Sequence, residues 1–537
     1  MRKKLGHIIS GSLIEGFVLR INPEIQLESI KTGKFVSIDG KQHKFFSLIT
    51  DLKLEVTSQD ILLFPPDQDD QESLLNSFLE KKDIYATANL KPMLMLAKDD
   101  KPSPVKTIPP HFSQVYEANN KDVALIFGDE NDPSKKFFNI GTPLDMTTPV
   151  CLNLEKLTER SNGIFGKTGT GKTFLTRLVL AGLIKNEKAV NIIFDMHSEY
   201  GLQARKEGAG ESFVKGLKTL FGNKVAIFSL DPESTRRRGG CPDYEIKLDY
   251  SAINIEDILS LQDELNLHST ALEAAYLIAA KYKRNWLQAL LESGENLKEF
   301  AQELGAHPES IAALYRKLKK IEKLPFFTPN VTGKKELSAV DQMIEYLDKG
   351  INVIVEFGNH TSTFCYLLIA NIITRRIHSK YVEKTEIFLG SQKKEDEPKK
   401  LMITIEEAHK FLNPTAAKQT IFGIIAREMR KYYVSLLVVD QRPSGIDPEI
   451  LSQIGTKIVA QLNDERDIQA VLNGVNGASN LRSILASLDS KKQALLLGHA
   501  LTMPVVIETR EYGQDFYRAM SSNLTPLDIN NAINELF

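Results

Sequence analysis

Gly166-Lys167-Thr168-Gly169-Thr170-Gly171-Lys172-Thr173 is the stretch on which the reading of this chain turns. It satisfies every fixed position of the G-x-x-x-x-G-K-[ST] loop. An apolar run, Gly163-Ile164-Phe165, leads into it, and a helical pattern from Phe174 to Leu180 leads out. Strand, glycine-rich loop and helix in that order make a phosphate cradle. The glycines let backbone N–H groups wrap phosphate oxygens, and the helix N-terminus adds a favourable dipole. Gly166, Lys167, Thr168, Gly169, Thr170 and Gly171 are therefore expected to hold nucleotide. Lys172 is expected to reach the β- and γ-phosphates, and the Thr173 hydroxyl to ligate Mg²⁺. ATP and Mg²⁺ are the cofactors that follow.

Outward from the loop, apolar strands alternate with helices. Val190–Phe194, Val225–Phe228, Ile351–Val355, Met402–Ile405 and Val434–Val439 are near-continuous apolar runs. Such runs predict a parallel sheet covered on both faces, a RecA-like α/β core. The run ending Ile403-Thr404-Ile405-Glu406-Glu407 places two acids at the carboxyl edge of that sheet, where open α/β sheets bind ligands. Glu406 is expected to hold hydrated Mg²⁺, and Glu407 to take the proton of the attacking water. Gln441, after the next apolar strand, is placed to orient that water or sense the γ-phosphate. Asp195 and Glu199 close another strand, as further acids near the metal or as the polar rim of the sheet.

Helical periodicity interrupts the core at about 252–345, as in Ala271-Leu272-Glu273-Ala274-Ala275-Tyr276-Leu277-Ile278. At the other end, short β-rich runs around 7–9, 17–21, 34–38 and 52–56 are punctuated by Gly11, Gly16, Gly33 and Gly40, which predicts a small β-barrel. A proline-rich connection at 102–110 and a further strand-like run, Val123–Phe127, follow. The expected organisation is a barrel with its linker over 1–150, core over 151–251, helical insertion over 252–345, core again over 346–505, and an extension over 506–537.

Bulk properties narrow the function. The chain has 537 residues and a net charge of −2. It is not a basic nucleic-acid coat, so any DNA contact must be a local collar or stripe. Arg236-Arg237-Arg238 offers a candidate, read as a charged loop that is either solvated or in contact with phosphates. Cys151, Cys241 and Cys365 are isolated in sequence, which points to neither a disulfide framework nor a zinc site. No run approaches the length of a membrane span, so a cytoplasmic protein without membrane contact is expected. His197 and His409 are expected to be hydrogen-bonding partners rather than a metal pair.

Four stretches beyond the phosphate loop resemble the HerA/FtsK group of ring ATPases, and HerA more closely. Phe194-Asp195-Met196-His197-Ser198-Glu199-Tyr200 is similar to that family's Asp-Pro-His-Gly-Glu-Tyr. Ile405-Glu406-Glu407-Ala408-His409 is similar to its acidic strand. Ala426-Arg427-Glu428-Met429-Arg430-Lys431-Tyr432 resembles its Arg-Glu-Gly-Arg-Lys-Tyr helix end, and Val439-Asp440-Gln441-Arg442-Pro443-Ser444 its Thr-Gln-Arg-Pro-Ser segment, with Asp440 replacing threonine. The run Gly6–Leu13 resembles the barrel that precedes the motor. The resemblance implies a homo-hexamer with ATP at subunit interfaces, double-stranded DNA in the channel, and work with a nuclease such as NurA or a defence effector. In such a ring Arg427 or Arg430 serves as an arginine finger on a neighbour's γ-phosphate; the alternative for both is a cation placed favourably at a helix C-terminus.

Two other functions use similar residues. A two-lobed helicase also carries a Glu-Ala-His string, but too little chain follows Gln441 for a second motor lobe. An ATP-gated oligomeric scaffold that regulates an effector enzyme would use the same site as a motor.

Overall fold

The computed structural model describes residues 2–57, 84–96, 102–205, 213–329, 338–418, 420–428, 431–475, 478–489 and 492–521. In chain order, β1 (Lys4–Ser12), β2 (Gly16–Ile21), β3 (Phe35–Asp39), β4 (Lys44–Val56), β5 (Ile84–Leu96) and β6 (Gln114–Glu117) come first. They pair antiparallel in the order β2-β1-β6-β3-β4-β5, and β5 returns to β2, closing a six-stranded barrel. Closure removes the free edges that a small sheet would otherwise expose. Alternation along the strands sends Leu5, Ile8, Phe17, Leu19, Ile38 and Phe45 into one buried core.

Val123–Phe127 is not a strand. It lies in α1 (Asn120–Phe127), because Asn119 and Asp122 form a reciprocal capping box that satisfies the first-turn amides. An apolar run of five fits either period, and the cap decides it.

The chain continues through β7 (Phe137–Pro143), β8 (Val150–Asn153), β9 (Asn162–Phe165) and α2 (Lys172–Asn186), with the glycine loop between the last two. Next come β10 (Val190–Asp195), β11 (Val225–Ser229) and α3 (Pro232–Arg237). The helical region includes α4 (Ser269–Tyr282), α5 (Trp286–Glu292), α6 (Leu297–Leu304) and α7 (Pro308–Leu318). After it run α8 (Ala339–Asp348), β12 (Asn352–Glu356), the 29-residue α9 (Thr363–Ser391), β13 (Leu401–Glu406), α10 (Ile421–Glu428) and β14 (Val434–Asp440). The last strands are β15 (Thr456–Val459), β16 (Gln493–Gly498) and β17 (Val505–Thr509).

Two compact units account for these elements. One comprises residues up to 157, 164–175 and 455–511. It holds the barrel, the glycine loop and an antiparallel run in the order β15-β16-β17-β7-β8. The other comprises 158–163, 176–454 and the residues from 512. Its sheet is parallel in the order β11-β12-β10-β13-β14. Every residue of these five strands is buried, as expected for an α/β core covered on both faces. The register aligns Asp195 with Glu356 and Glu406 with Val439, so the acids gather at the carboxyl edge. Among the described residues no helix is long and apolar enough to cross a membrane.

Candidate functional site

The glycine loop is anchored by backbone. Phe165, ending β9, accepts from the Ala460 amide at 2.8 Å, and the Lys167 amide donates to the Gln461 carbonyl at 3.1 Å. Inside the loop the Lys167 carbonyl accepts from the Thr170 hydroxyl at 2.7 Å and from Lys172 Nζ at 3.0 Å. That places the Lys172 ammonium across the loop, in hydrogen bonds a phosphate oxygen could take over. Thr168 and Gly169 form an exposed crest. Gly169 and Gly171 have φ of +79° and +86°, conformations glycine adopts without cost. Gly166 is required for a different reason. A Cβ there would lie 2.7 Å from Thr170 Oγ1 and 2.9 Å from Ala460 Cβ. Thr173 sits in the first turn of α2.

At the carboxyl edge of the parallel sheet three neighbouring strands end in buried acids: Glu356 on β12, Asp195 on β10 and Glu406 on β13. Asp195 accepts the Glu199 and Tyr200 amides, each at 2.8 Å, which folds the chain after β10 into a tight turn. Burial, then the charge of Glu356, pushes the Asp195 carboxyl up to about 7. Burial, then Asp195, pushes Glu406 up to about 8. Two tyrosines fix Glu406. Tyr200 donates to its Oε1 at 2.8 Å. The Tyr366 hydroxyl, on α9, brackets its backbone, accepting from the amide at 3.0 Å and donating to the carbonyl at 3.1 Å. Crowded acids of this kind favour a neighbouring cation. Among the described residues no three of His, Cys, Asp or Glu converge on a point that could hold a metal ion.

Glu407, the next residue, turns out of the strand with φ +49°. A left-handed conformation costs a non-glycine residue about 1–2 kcal/mol, and such strain recurs at functional sites. Gln441 Nε2 lies 3.4 Å from Glu407 Oε2, and His409 Nδ1 lies 3.6 Å from the same oxygen. The sequence expectation thus brings Glu407 and Gln441 together. It missed what supports them. Asp440, fully buried at the end of β14, accepts the His409 amide at 2.6 Å, the Arg442 amide at 2.6 Å and His409 Nδ1 at 3.0 Å. The hydrogen bond to Asp440 raises the His409 pKa, opposed by burial. The available signal was the substitution of Asp440 for threonine. An acid there has the lone pairs to clamp both the turn and the imidazole.

The remaining candidates are placed less simply. Arg427, on α10, donates to the Ala417 carbonyl at 3.1 Å and lies 3.8 Å from Glu449. Its side chain is 30% exposed, so the guanidinium is held but reachable. Arg430 lies outside the described residues. The expected Arg236–Arg238 loop is instead the end of helix α3, which Asp231 caps and Pro232 starts. Arg236 pairs with Glu233 and Glu245 at 3.0 and 2.7 Å. Arg238 pairs with buried Glu356 at 2.7 Å. These two cations are committed within the fold.

Residues 138–377, which include the glycine loop, match the family described as the helicase HerA central domain. The DNA double-strand break repair helicase HerA of Pyrococcus furiosus is 24% identical over 415 residues, spanning 73% of this chain and 72% of the relative. Its counterpart in Sulfurisphaera tokodaii is 23% identical over 503 residues, spanning 90% of this chain and 89% of the relative. Among solved structures, VirB4 of Thermoanaerobacter pseudethanolicus aligns over 71% of this chain and 97% of that one, at 15% identity and a TM-score of 0.44. Over the matched central domain the chain is similar to HerA helicases, and its phosphate loop is that of a P-loop ATPase.

Proposed function

We propose that this ATPase is a ring motor that translocates double-stranded DNA, and that it works with a partner nuclease or a defence effector. The observation that carries the reading is Glu407. A strained carboxylate at the carboxyl edge of a parallel sheet, with the Gln441 amide beside it, suits the activation of water for hydrolysis. The naming of both HerA relatives as DNA double-strand break repair helicases supports the choice of duplex DNA.

In this reading Lys172 leaves the Lys167 carbonyl for the β- and γ-phosphates. Thr173 and Glu406 would hold Mg²⁺, which would neutralise charge on the phosphates. Glu407 takes the proton of the attacking water, and Gln441 orients that water. The His409–Asp440 pair holds Glu407 in place. Arg427 or Arg430 completes the site of a neighbouring subunit in a homo-hexamer. A Lys172→Ala chain should lose ATP binding. Glu407→Gln should bind ATP but turn it over at least about a hundredfold more slowly, since an amide cannot take the proton. Wild-type turnover by Glu407→Gln would remove Glu407 from its role.

A second reading, an ATP-gated scaffold for an effector enzyme, draws on the same site. The commitment of Arg236 and Arg238 to ion pairs favours it, because it withdraws two cations from any DNA collar. Duplex-stimulated turnover separates the two readings.

A further inference from the structure

The helical region holds a second feature that the ATPase site does not use. α6 and α7 are joined by only three residues, Gly305-Ala306-His307. Gly305 takes φ +64° and ends α6, while the Ala306 amide returns to the Ala301 carbonyl at 2.9 Å. His307 then caps α7 by accepting the Glu309 amide at 3.3 Å, and Pro308 begins the helix. α6 buries Phe300 and Ala301, and α7 buries Ile311, Leu314 and Leu318. α7 packs along α4, and α6 meets the end of α4 where Tyr282 stacks on Phe300 with ring centres 5.7 Å apart. Two short helices joined by a glycine-containing turn of three or four residues and braced by a third form the helix-turn-helix unit.

The end of α7 and the residues after it have the matching chemistry. Arg316 is exposed, and half-buried Ala312, Ala313 and Lys317 fall at helical spacing away from Ile311, Leu314 and Leu318, with Ala313 and Lys317 lining a groove shared with Ala274 and Leu277 of α4. Small side chains in mid-helix let the backbone approach a surface closely. Residues 316–323 then carry Arg316, Lys317, Lys319, Lys320 and Lys323 against the single acid Glu322, a local excess of four positive charges in a chain of net −2.

We propose that α6 and α7 are a helix-turn-helix that lays α7 in the major groove of double-stranded DNA, with the cations from Arg316 onward on the flanking phosphates. This deepens the motor reading, and it rests on that reading for the class of partner. It gives the protein a duplex contact outside the P-loop core, one suited to capturing DNA.

The test uses the full chain with a fluorescent duplex of about 20 base pairs, followed by polarisation at several salt concentrations. Arg316→Ala/Lys317→Ala should weaken binding by about tenfold or more and lower the salt slope by about two. Arg316→Glu, which reverses an exposed charge on α7 without touching the buried Ile311, Leu314 and Leu318, should weaken it further. Turnover without DNA and the unfolding temperature should not change in either variant. Wild-type affinity and slope in both variants overturn the proposal. So does loss of a protein partner with duplex affinity intact. If the wild type is stimulated by duplex while both variants bind as it does, α7 fails and the motor reading stands. If the wild type neither binds duplex nor responds to it, both readings fail.

Discussion

Glu407 is held in a left-handed conformation by its neighbours rather than by its own preference. The chain must leave β13 sharply so that His409 can meet Asp440 through both its amide and its ring. The ring part of that bond depends on pH. The folded His409 pKa is raised, so its contribution is fully present below the unfolded value of ~6.5 and is lost as pH rises through the folded value. Asp440→Asn is therefore expected to cost more stability at about pH 6 than at about pH 9, with the low-pH excess on the order of 1.5–3 kcal/mol. The two backbone amides on Asp440 leave a residual cost at both. Urea unfolding at the two pH values checks this; equal costs would mean that His409 carries no charge in the bond. Glu356 makes a second residue-scale case. It is fully buried, and Arg238 neutralises it. Arg238→Ala should cost about 3 kcal/mol, because it strands a buried carboxylate, while Arg236→Ala, between two exposed acids, should cost under about 1 kcal/mol.

At the scale of elements, the phosphate loop is set by close approach as much as by flexible glycine. Gly166→Ala should lower nucleotide affinity by about tenfold or more, because the new methyl displaces Thr170 or Ala460 and reshapes the cradle. Equilibrium binding of a fluorescent ATP analogue measures it, and unchanged affinity would show that the loop tolerates the shift. This loop was fully legible in the sequence, because its function fixes its residues one by one. The parallel strands were legible too, since burial on both faces leaves an unbroken apolar run. Val123–Phe127 was misread because five apolar residues carry no period, and the deciding Asn119–Asp122 cap lies outside them. The Arg236–Arg238 helix was hidden similarly, behind the Asp231-Pro232 start. The Asp440–His409 clamp depends on two residues 31 positions apart meeting at the sheet edge, which no local pattern reports.

For the whole molecule, the neutral-to-acidic balance requires DNA contacts to be gathered locally. The proposed ring would do this by symmetry, repeating one cation in every subunit, and the proposed contact from Arg316 to Lys323 would add a basic stretch of its own. If each ATP site is completed by a neighbour, mixtures have a signature. Lys172→Ala subunits keep both arginines, and Arg427→Ala/Arg430→Ala subunits keep the phosphate loop, so mixing two inactive proteins should restore part of the turnover. Full activity in a dilute monomer, measured with light scattering, would contradict shared sites.

ATP turnover by the full chain at low salt, with and without double-stranded DNA and with any purified partner, tests the central claim most directly. The account predicts that duplex raises turnover severalfold, that added salt abolishes the rise as phosphate contacts weaken, and that Glu407→Gln shows no rise. Turnover indifferent to duplex under every one of these conditions would contradict the motor and leave the ATP-gated scaffold.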